Sequence, residues 1–305
     1  MSENHVLRGD FWELDIEDAR FPATLKTIPR PPKRLYVVGS VEALVPGLAV
    51  IGARKATPYG KSCAWRFARI AAEKGVNIIS GGARGCDSEA HRAALDVGGR
   101  TVVFLGGGCD DIYPPEHVPL FQQVVDTGGA VVSENPWGFH PQPYTFRERN
   151  RLIAGLADAV LIVEAGLPSG TFSTADEALD AGREVLVIPG SIQSTNSRGS
   201  NRLLVQGATP IVDDESFEDA LLRACGALKW PQLNGMDDAV NDCDDPIVAA
   251  VRAQPLATEE LYPIAVVSFG EQHAREQLME RLVEAEAAGY IARQPDGKWG
   301  PVVRR

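Results

Sequence analysis

The sequence is poor in the residues that build covalent or metal frameworks. Its five cysteines, Cys63, Cys86, Cys109, Cys225 and Cys243, are odd in number, and no CxxC pair occurs among the 305 residues. Neither a disulfide framework nor a tetrahedral zinc site is expected, and the thiols read as reduced. No GxxxxGK[ST] loop, no GxGxxG directly after the first strand of the main domain and no HExxH occur. Nucleotide triphosphate hydrolysis, dinucleotide redox chemistry and zinc hydrolysis therefore lack their usual signatures, and no cofactor or metal is expected. No apolar run approaches the ~18–20 residues of a membrane span. The polar start MSENHVLRGDFWELDIED has no apolar core of a signal peptide. The expected location is the cytoplasm, with no membrane contact.

Positive charge is also in deficit. Lys and Arg number 30 against 41 Asp and Glu, a net charge of −11. Such a chain does not coat a polyanion through its overall field, so any anion site must be a local patch. With 44% hydrophobic residues, the chain has material for a full core in one large domain and a smaller one.

Four regions are expected. Residues 1–46 are Pro-rich around IPRPPKR and read as a lead-in packing on the main domain. Residues 47–226 alternate apolar runs with helical patterns. Residues 227–245 are acidic and aperiodic, as in a linker, and residues 246–305 form a small second domain. The runs at 48–52, 76–81, 101–106, 130–134, 159–165, 184–190 and 209–212 are rich in Val and Ile, as in parallel strands buried on both faces. Helical patterns fall between them, at 59–74, 88–97, 115–126, 149–156, 171–181 and 198–205. The fold class is thus α/β, a doubly wound, mostly parallel, Rossmann-like sheet. The last region reads as helices followed by a hairpin at Pro295-Asp296-Gly297, a winged-helix-like unit. The unit carries Glu271, Glu276, Glu280, Glu284 and Glu286 against Arg275, Arg281 and Arg293. That balance favours a protein contact over DNA readout.

Ligands of open parallel sheets bind beyond the carboxyl ends of the strands. Those ends here are Gly52-Ala53-Arg54-Lys55, Ser80-Gly81-Gly82-Ala83-Arg84-Gly85, Gly106-Gly107-Gly108, Ser133-Glu134-Asn135-Pro136, Glu164-Ala165-Gly166 with Ser169-Gly170-Thr171 beyond, and Pro189-Gly190-Ser191 with Ser197-Arg198-Gly199-Ser200-Asn201 following. Glycine admits close backbone approach, Ser and Thr donate at helix starts, and Arg matches phosphate with a planar fork. The stretch FRERNRLIAG at 146–155 adds Arg147, Arg149 and Arg151 just ahead of an apolar turn. The assembled composition is that of an anion site. His91 more often packs than catalyses in such a setting.

Seven segments in order carry a resemblance: GARKATPYG at 52–60, SGGARGCDSEAHRAAL at 80–95, LGGGCDDIYPPEH at 105–117, SENP at 133–136, FRERNRLIAGLADAVLIVEA at 146–165, SGTFSTADEALDAGREVLVIPGSI at 169–192 and SRGSNRLLVQGA at 197–208. Together they resemble the DNA-processing protein A family, DprA/Smf. The likeness covers roughly residues 11–213. It implies an extended Rossmann-like domain that binds single-stranded DNA, protects incoming strands and loads the RecA recombinase in natural transformation, often as a homodimer and without catalysis. It implies a DNA pocket at Arg54, Ser80, Gly81, Arg84, Phe146, Arg147, Asn150 and Arg151. This chain has SGGARG where the family commonly has SGLARG. The N-terminal helical domain of many members is expected to be missing, since about ten residues precede the lead-in.

The resulting expectation is one phosphate between Arg54, the 80–85 turn and Asn150/Arg151. Arg147 and Lys55 meet neighbouring phosphates, and Phe146 or Tyr144 stacks a base. Arg149 paired with a nearby acid is the competing structural reading. Two other functions share the crevice. VEAGLPSGTFSTADEAL also resembles the PGGxGTxxE motif of lysine-decarboxylase-like phosphoribohydrolases. Ser169 stands where their first Gly would be, and Glu177 falls at another offset. A nucleotide sensor acting through the acidic C-terminal unit is the third reading.

Overall fold

A computed structural model describes residues 6–167, 170–226, 245–294 and 296–302. The chain divides into two compact units. The larger is built on a nine-stranded sheet with spatial order β1-β2-β6-β5-β4-β3-β7-β8-β9. The strands are β1 (Phe11–Asp15), β2 (Arg34–Gly39), β3 (Gly47–Ile51), β4 (Asn77–Ser80), β5 (Thr101–Phe104), β6 (Ala130–Ser133), β7 (Ala159–Ile162), β8 (Glu184–Val187) and β9 (Thr209–Pro210). β3 to β9 pair in parallel. β2 pairs antiparallel with both β1 and β6.

All seven runs read as strands from Val and Ile content are strands. The helices between them are α1 (Ala23–Lys26), α2 (Pro58–Glu73), α3 (Cys86–Asp96), α4 (Val118–Asp126), α5 (Thr145–Glu148), α6 (Asn150–Leu156), α7 (Thr171–Asp180), α8 (Arg198–Val205) and α9 (Asp214–Cys225). Successive strand residues point to opposite faces, and both faces are covered. Val102 and Phe104 enter one core cluster, whereas Val103 and Leu105 enter the other. This explains why the strands read as unbroken apolar runs.

Residues 1–46 do more than pack on the sheet. Two of their segments are its strands β1 and β2, and Leu14, Phe21, Leu25, Ile28 and Leu35 join the first core cluster. β1 is an edge strand with a mixed pattern, and its pairing is antiparallel, so it lacks the apolar run that marks the central strands. α9 also went unread, although Asp213 and Ser216 form a reciprocal capping box at its start.

The chain lays down β3, β4, β5 and β6 in one direction, then returns to place β7 on the other side of β3. The order therefore reverses between β3 and β7. Their following loops diverge there and leave a crevice at the carboxyl ends.

The smaller unit has α10 (Pro246–Ala253), α11 (Thr258–Phe269), α12 (Ala274–Ala287) and an antiparallel pair, β10 (Ile291–Arg293) and β11 (Trp299–Pro301). Leu256, between α10 and α11, bridges to Trp299. Ile247, Val251, Leu261, Leu278, Leu282, Ile291 and Trp299 form a core of its own. α11 was not expected, because Pro263 interrupts its pattern; the helix runs through it. The linker expected at 227–245 lies outside the described residues except for Asp245, which caps α10 through the backbone N–H groups of Ile247 and Val248.

Candidate functional site

The crevice at the switch point holds a cavity of ≈ 470 Å³. Its walls come from four places: Gly52-Ala53-Arg54 after β3, Ala83 and Asp87 around the start of α3, Phe146, Arg147, Arg149 and Asn150 across α5 and α6, and Gly166, Gly170 and Thr171 after β7. A smaller recess continues beside it, between Arg54, Arg84, Tyr113, Phe146 and Arg149.

The three arginines of the FRERNR stretch have different fates. Arg147 is exposed and lines the cavity. Arg149 is only 5% exposed. Its Nη1 donates to the carbonyl of Gly81 at 2.7 Å and also to that of Phe104. Burial pulls its pKa down to about 10, opposed by the Asp87 carboxylate and assisted by Arg54. Arg151 is buried too. Its Nη2 donates to Glu134 at 2.6 Å, and it does not line the cavity. Arg147 and Arg149 both line the cavity and Arg151 does not, so this stretch does not present all three side chains to one ligand. Of the two buried ones, Arg149 supports the crevice floor and Arg151 anchors α6.

The loop after β4 is shaped for that floor. A Cβ on Gly81 would come within 2.6 Å of Arg149 Cζ, so only glycine leaves room for the guanidinium. Gly85 has φ +80°, and a Cβ there would lie 2.9 Å from the Arg54 carbonyl oxygen. The close approach of the β3 and β4 loops thus depends on it. Gly82 lies buried against Phe121. Asp87 accepts from Ala83 N–H at 3.3 Å and holds the loop from below. Burial pushes its carboxyl pKa up, and Arg149 opposes this. Ser80 was expected to face the ligand. It is fully buried, and its hydroxyl donates to the Val50 carbonyl at 2.6 Å.

The accessible groups form a second layer. Arg54 is exposed, and its guanidinium lies over the Phe146 ring at 5.2 Å. Lys55 is exposed beside it without lining the cavity. Asn150 lines the cavity and donates to Ser173 Oγ at 3.0 Å, and Ser173 donates to the Gly170 carbonyl at 2.7 Å. This chain ties the start of α6 to the start of α7. Thr171 is buried at that helix start, Gly170 is exposed, and Ser169 lies outside the described residues. Arg84 is exposed and paired with Glu116. Tyr144 is 61% exposed and lines neither cavity.

Acidic neighbours of the crevice are engaged elsewhere. Arg30 pairs with Glu148 at 2.9 Å and Glu177 at 2.7 Å. The accessible cavity wall is therefore cationic at Arg54 and Arg147, with an aromatic face at Phe146. Such a wall suits an anion that carries a planar apolar group. His91 takes no part. It is fully buried, with Nδ1 on Thr101 Oγ1 at 2.7 Å. Among the described residues no cluster of three or more His, Cys, Asp or Glu could hold a metal ion.

Sequence reasoning missed Tyr113, Glu116 and Asp87. Tyr113 stands inside the quoted segment LGGGCDDIYPPEH, and only the fold brings it to Phe146, 5.6 Å between ring centroids.

Comparison with known proteins shows the family and the fold. The family model for DNA recombination-mediator protein A matches residues 13–221. The chain belongs to the DNA recombination-mediator protein A family. Protein Smf of Escherichia coli (strain K12) is 37% identical over 91% of this chain and 74% of its own length. DNA processing protein DprA of Bacillus subtilis (strain 168) is 34% identical over 68% of this chain and 70% of its own. Two solved members share the fold. DprA from Streptococcus pneumoniae superimposes with a TM-score of 0.64 at 33% identity, covering 69% of this chain and 74% of that one. DNA processing protein A from Helicobacter pylori gives 0.63 at 34% identity, covering 70% and 97%. The Helicobacter pylori structure was described for its single-stranded DNA binding mode. Among the described residues no helix is long and apolar enough to cross a membrane.

Proposed function

We propose that the chain binds single-stranded DNA in the switch-point crevice, in the cytoplasm, and that it protects incoming strands and helps load a RecA-type recombinase during natural transformation. The observation that carries this reading is the pairing of accessible Arg54 and Arg147 with the Phe146 face inside one cavity. Family membership and the likeness to the Helicobacter pylori protein support the choice of ligand. The net charge of −11 supports the choice of a single strand. A flexible strand follows one cationic crevice, whereas a rigid duplex presses further phosphates against acidic surface.

The action is binding without catalysis. For a homodimer, exposed Val205 and Val212, at 89% and 69%, supply apolar surface beside the edge strand β9. The C-terminal order of helix, bridge, two helices and hairpin is that of a winged-helix module. With eight acidic and seven basic residues in 246–305, the module lacks the basic excess of a DNA reader, which favours a protein partner for it.

The test is anisotropy of a labelled single-stranded oligonucleotide with wild type and Arg54→Ala at two salt concentrations, with duplex as competitor. Salt-sensitive, strand-selective binding is expected, with the logarithmic salt slope in the variant flattened by up to ~0.7 per lost contact. An unchanged slope refutes the pocket. The cavity volume also suits a mononucleotide, so thermal stabilisation by mononucleotides alone would favour a sensor. Release of adenine from AMP would favour a phosphoribohydrolase.

A further inference from the structure

The smaller recess repeats the chemistry of the larger cavity. In the cavity, Arg54 stands over Phe146 at 5.2 Å. In the recess, Arg84 stands over Tyr113 at 5.9 Å. The two aromatic rings adjoin at 5.6 Å, tilted by 56°. The side chains therefore run in the order Arg84, Tyr113, Phe146, Arg54, with a cation at each end and two rings between. Each half offers a planar apolar face and a guanidinium, which are the partners of a nucleobase and its phosphate.

Tyr113 is 43% exposed, yet its surroundings are firmly held. The loop that carries it is tied by His117 Nδ1 to the Gly82 carbonyl at 2.8 Å. It is tied again by Gly108 N–H to Phe139 O at 2.8 Å and by Gly138 N–H to Asp110 at 2.7 Å. Arg84 is kept charged first by its bond to Glu116 and second by the Tyr113 hydroxyl. A large ring held in place and left partly open is a preorganised contact surface.

We infer that Tyr113 and Arg84 form a second nucleotide subsite, in which a base stacks on Tyr113 while Arg84 meets a phosphate next to the one held at Arg54. The inference rests on the single-strand reading above. One protomer then reads at least two neighbouring nucleotides, one on Phe146 and the next on Tyr113. Glu116 competes with the phosphate for Arg84, so this subsite weakens with salt less simply than the first.

The test uses the full chain and two labelled strands, a thymidine oligonucleotide and the same backbone with abasic units. Tyr113→Ala and Tyr113→Leu are expected to bind the thymidine strand about 5- to 140-fold more weakly than wild type, the range that ~1–3 kcal/mol of stacking converts to. Both are expected to match wild type on the abasic strand, and Tyr113→Phe is expected to bind both strands as wild type does. Tyr113→Leu keeps apolar bulk beside Phe146, so it also reports if Tyr113→Ala folds poorly. Equal losses on both strands, or no loss on either, overturn the subsite while leaving single-strand binding intact. Failure of the wild type to bind the thymidine strand overturns both readings.

Discussion

Gly81→Ala isolates the device that fixes the crevice floor. The three nearest atoms to a new Cβ all belong to the Arg149 guanidinium, with Nη2 at 2.5 Å and Cζ at 2.6 Å. The side chain is flexible and moves aside, so the clash itself is cheap. The consequence lies in what it leaves. Arg149 gives up its bonds to the carbonyls of Gly81 and Phe104. A hydrogen bond to a charged donor contributes ~1.5–3 kcal/mol. The freed guanidinium regains water in the open crevice, which offsets part of the loss, and a net destabilisation of about 3 kcal/mol is expected. For a domain of this size that lowers the thermal midpoint by roughly 6–12 °C. Circular dichroism melting of wild type, Gly81→Ala, Arg149→Met and the double variant measures it. In the Arg149→Met background the added methyl meets no guanidinium, so its effect should fall below about 1 kcal/mol. A Gly81→Ala midpoint within about 2 °C of wild type, or simple additivity in the double variant, refutes the reasoning.

Three further outcomes follow from the same geometry. Arg151→Ala should destabilise by about 3 kcal/mol, since it strands Glu134 beside a buried site, while oligonucleotide affinity of the folded protein stays near wild type; a large affinity loss would return Arg151 to the pocket. Ser80→Ala should lower stability by about 1 kcal/mol with unchanged affinity, as measured by melting and anisotropy side by side. Acid should destabilise the fold through His91, whose pKa burial pulls from 6.5 to about 3, with the His117 charge second. The unfolded imidazole takes up a proton below pH 6.5 and the folded one does not. Stability is therefore lost as pH falls from 6.5 toward about 3, by about 1.4 kcal/mol per unit. Denaturant unfolding across that window should show the His91→Gln variant with a slope shallower by that amount, and an identical slope would refute it.

Six of the seven runs were legible because their strands, β3 to β8, are buried on both faces and are therefore mostly apolar, whereas β9 is a two-residue edge strand with Pro210 exposed. β1 was not, because an antiparallel edge strand needs only one apolar face; Leu14 is its buried residue. The anion site was legible as composition, in glycines and arginines at strand ends. Its division of labour was not. Nothing local tells that Arg149 turns under Gly81 while Arg147 stays in solvent, since both follow the same residue pattern. Burial on two faces and tight βα turns impose their residues locally, so a doubly wound sheet with cationic strand ends can be read along the chain. Which cations face the ligand, and the meeting of Tyr113 with Phe146, emerge only on folding. Those choices depend on which carbonyls and rings meet across the switch point between β3 and β7, from residues far apart in the chain.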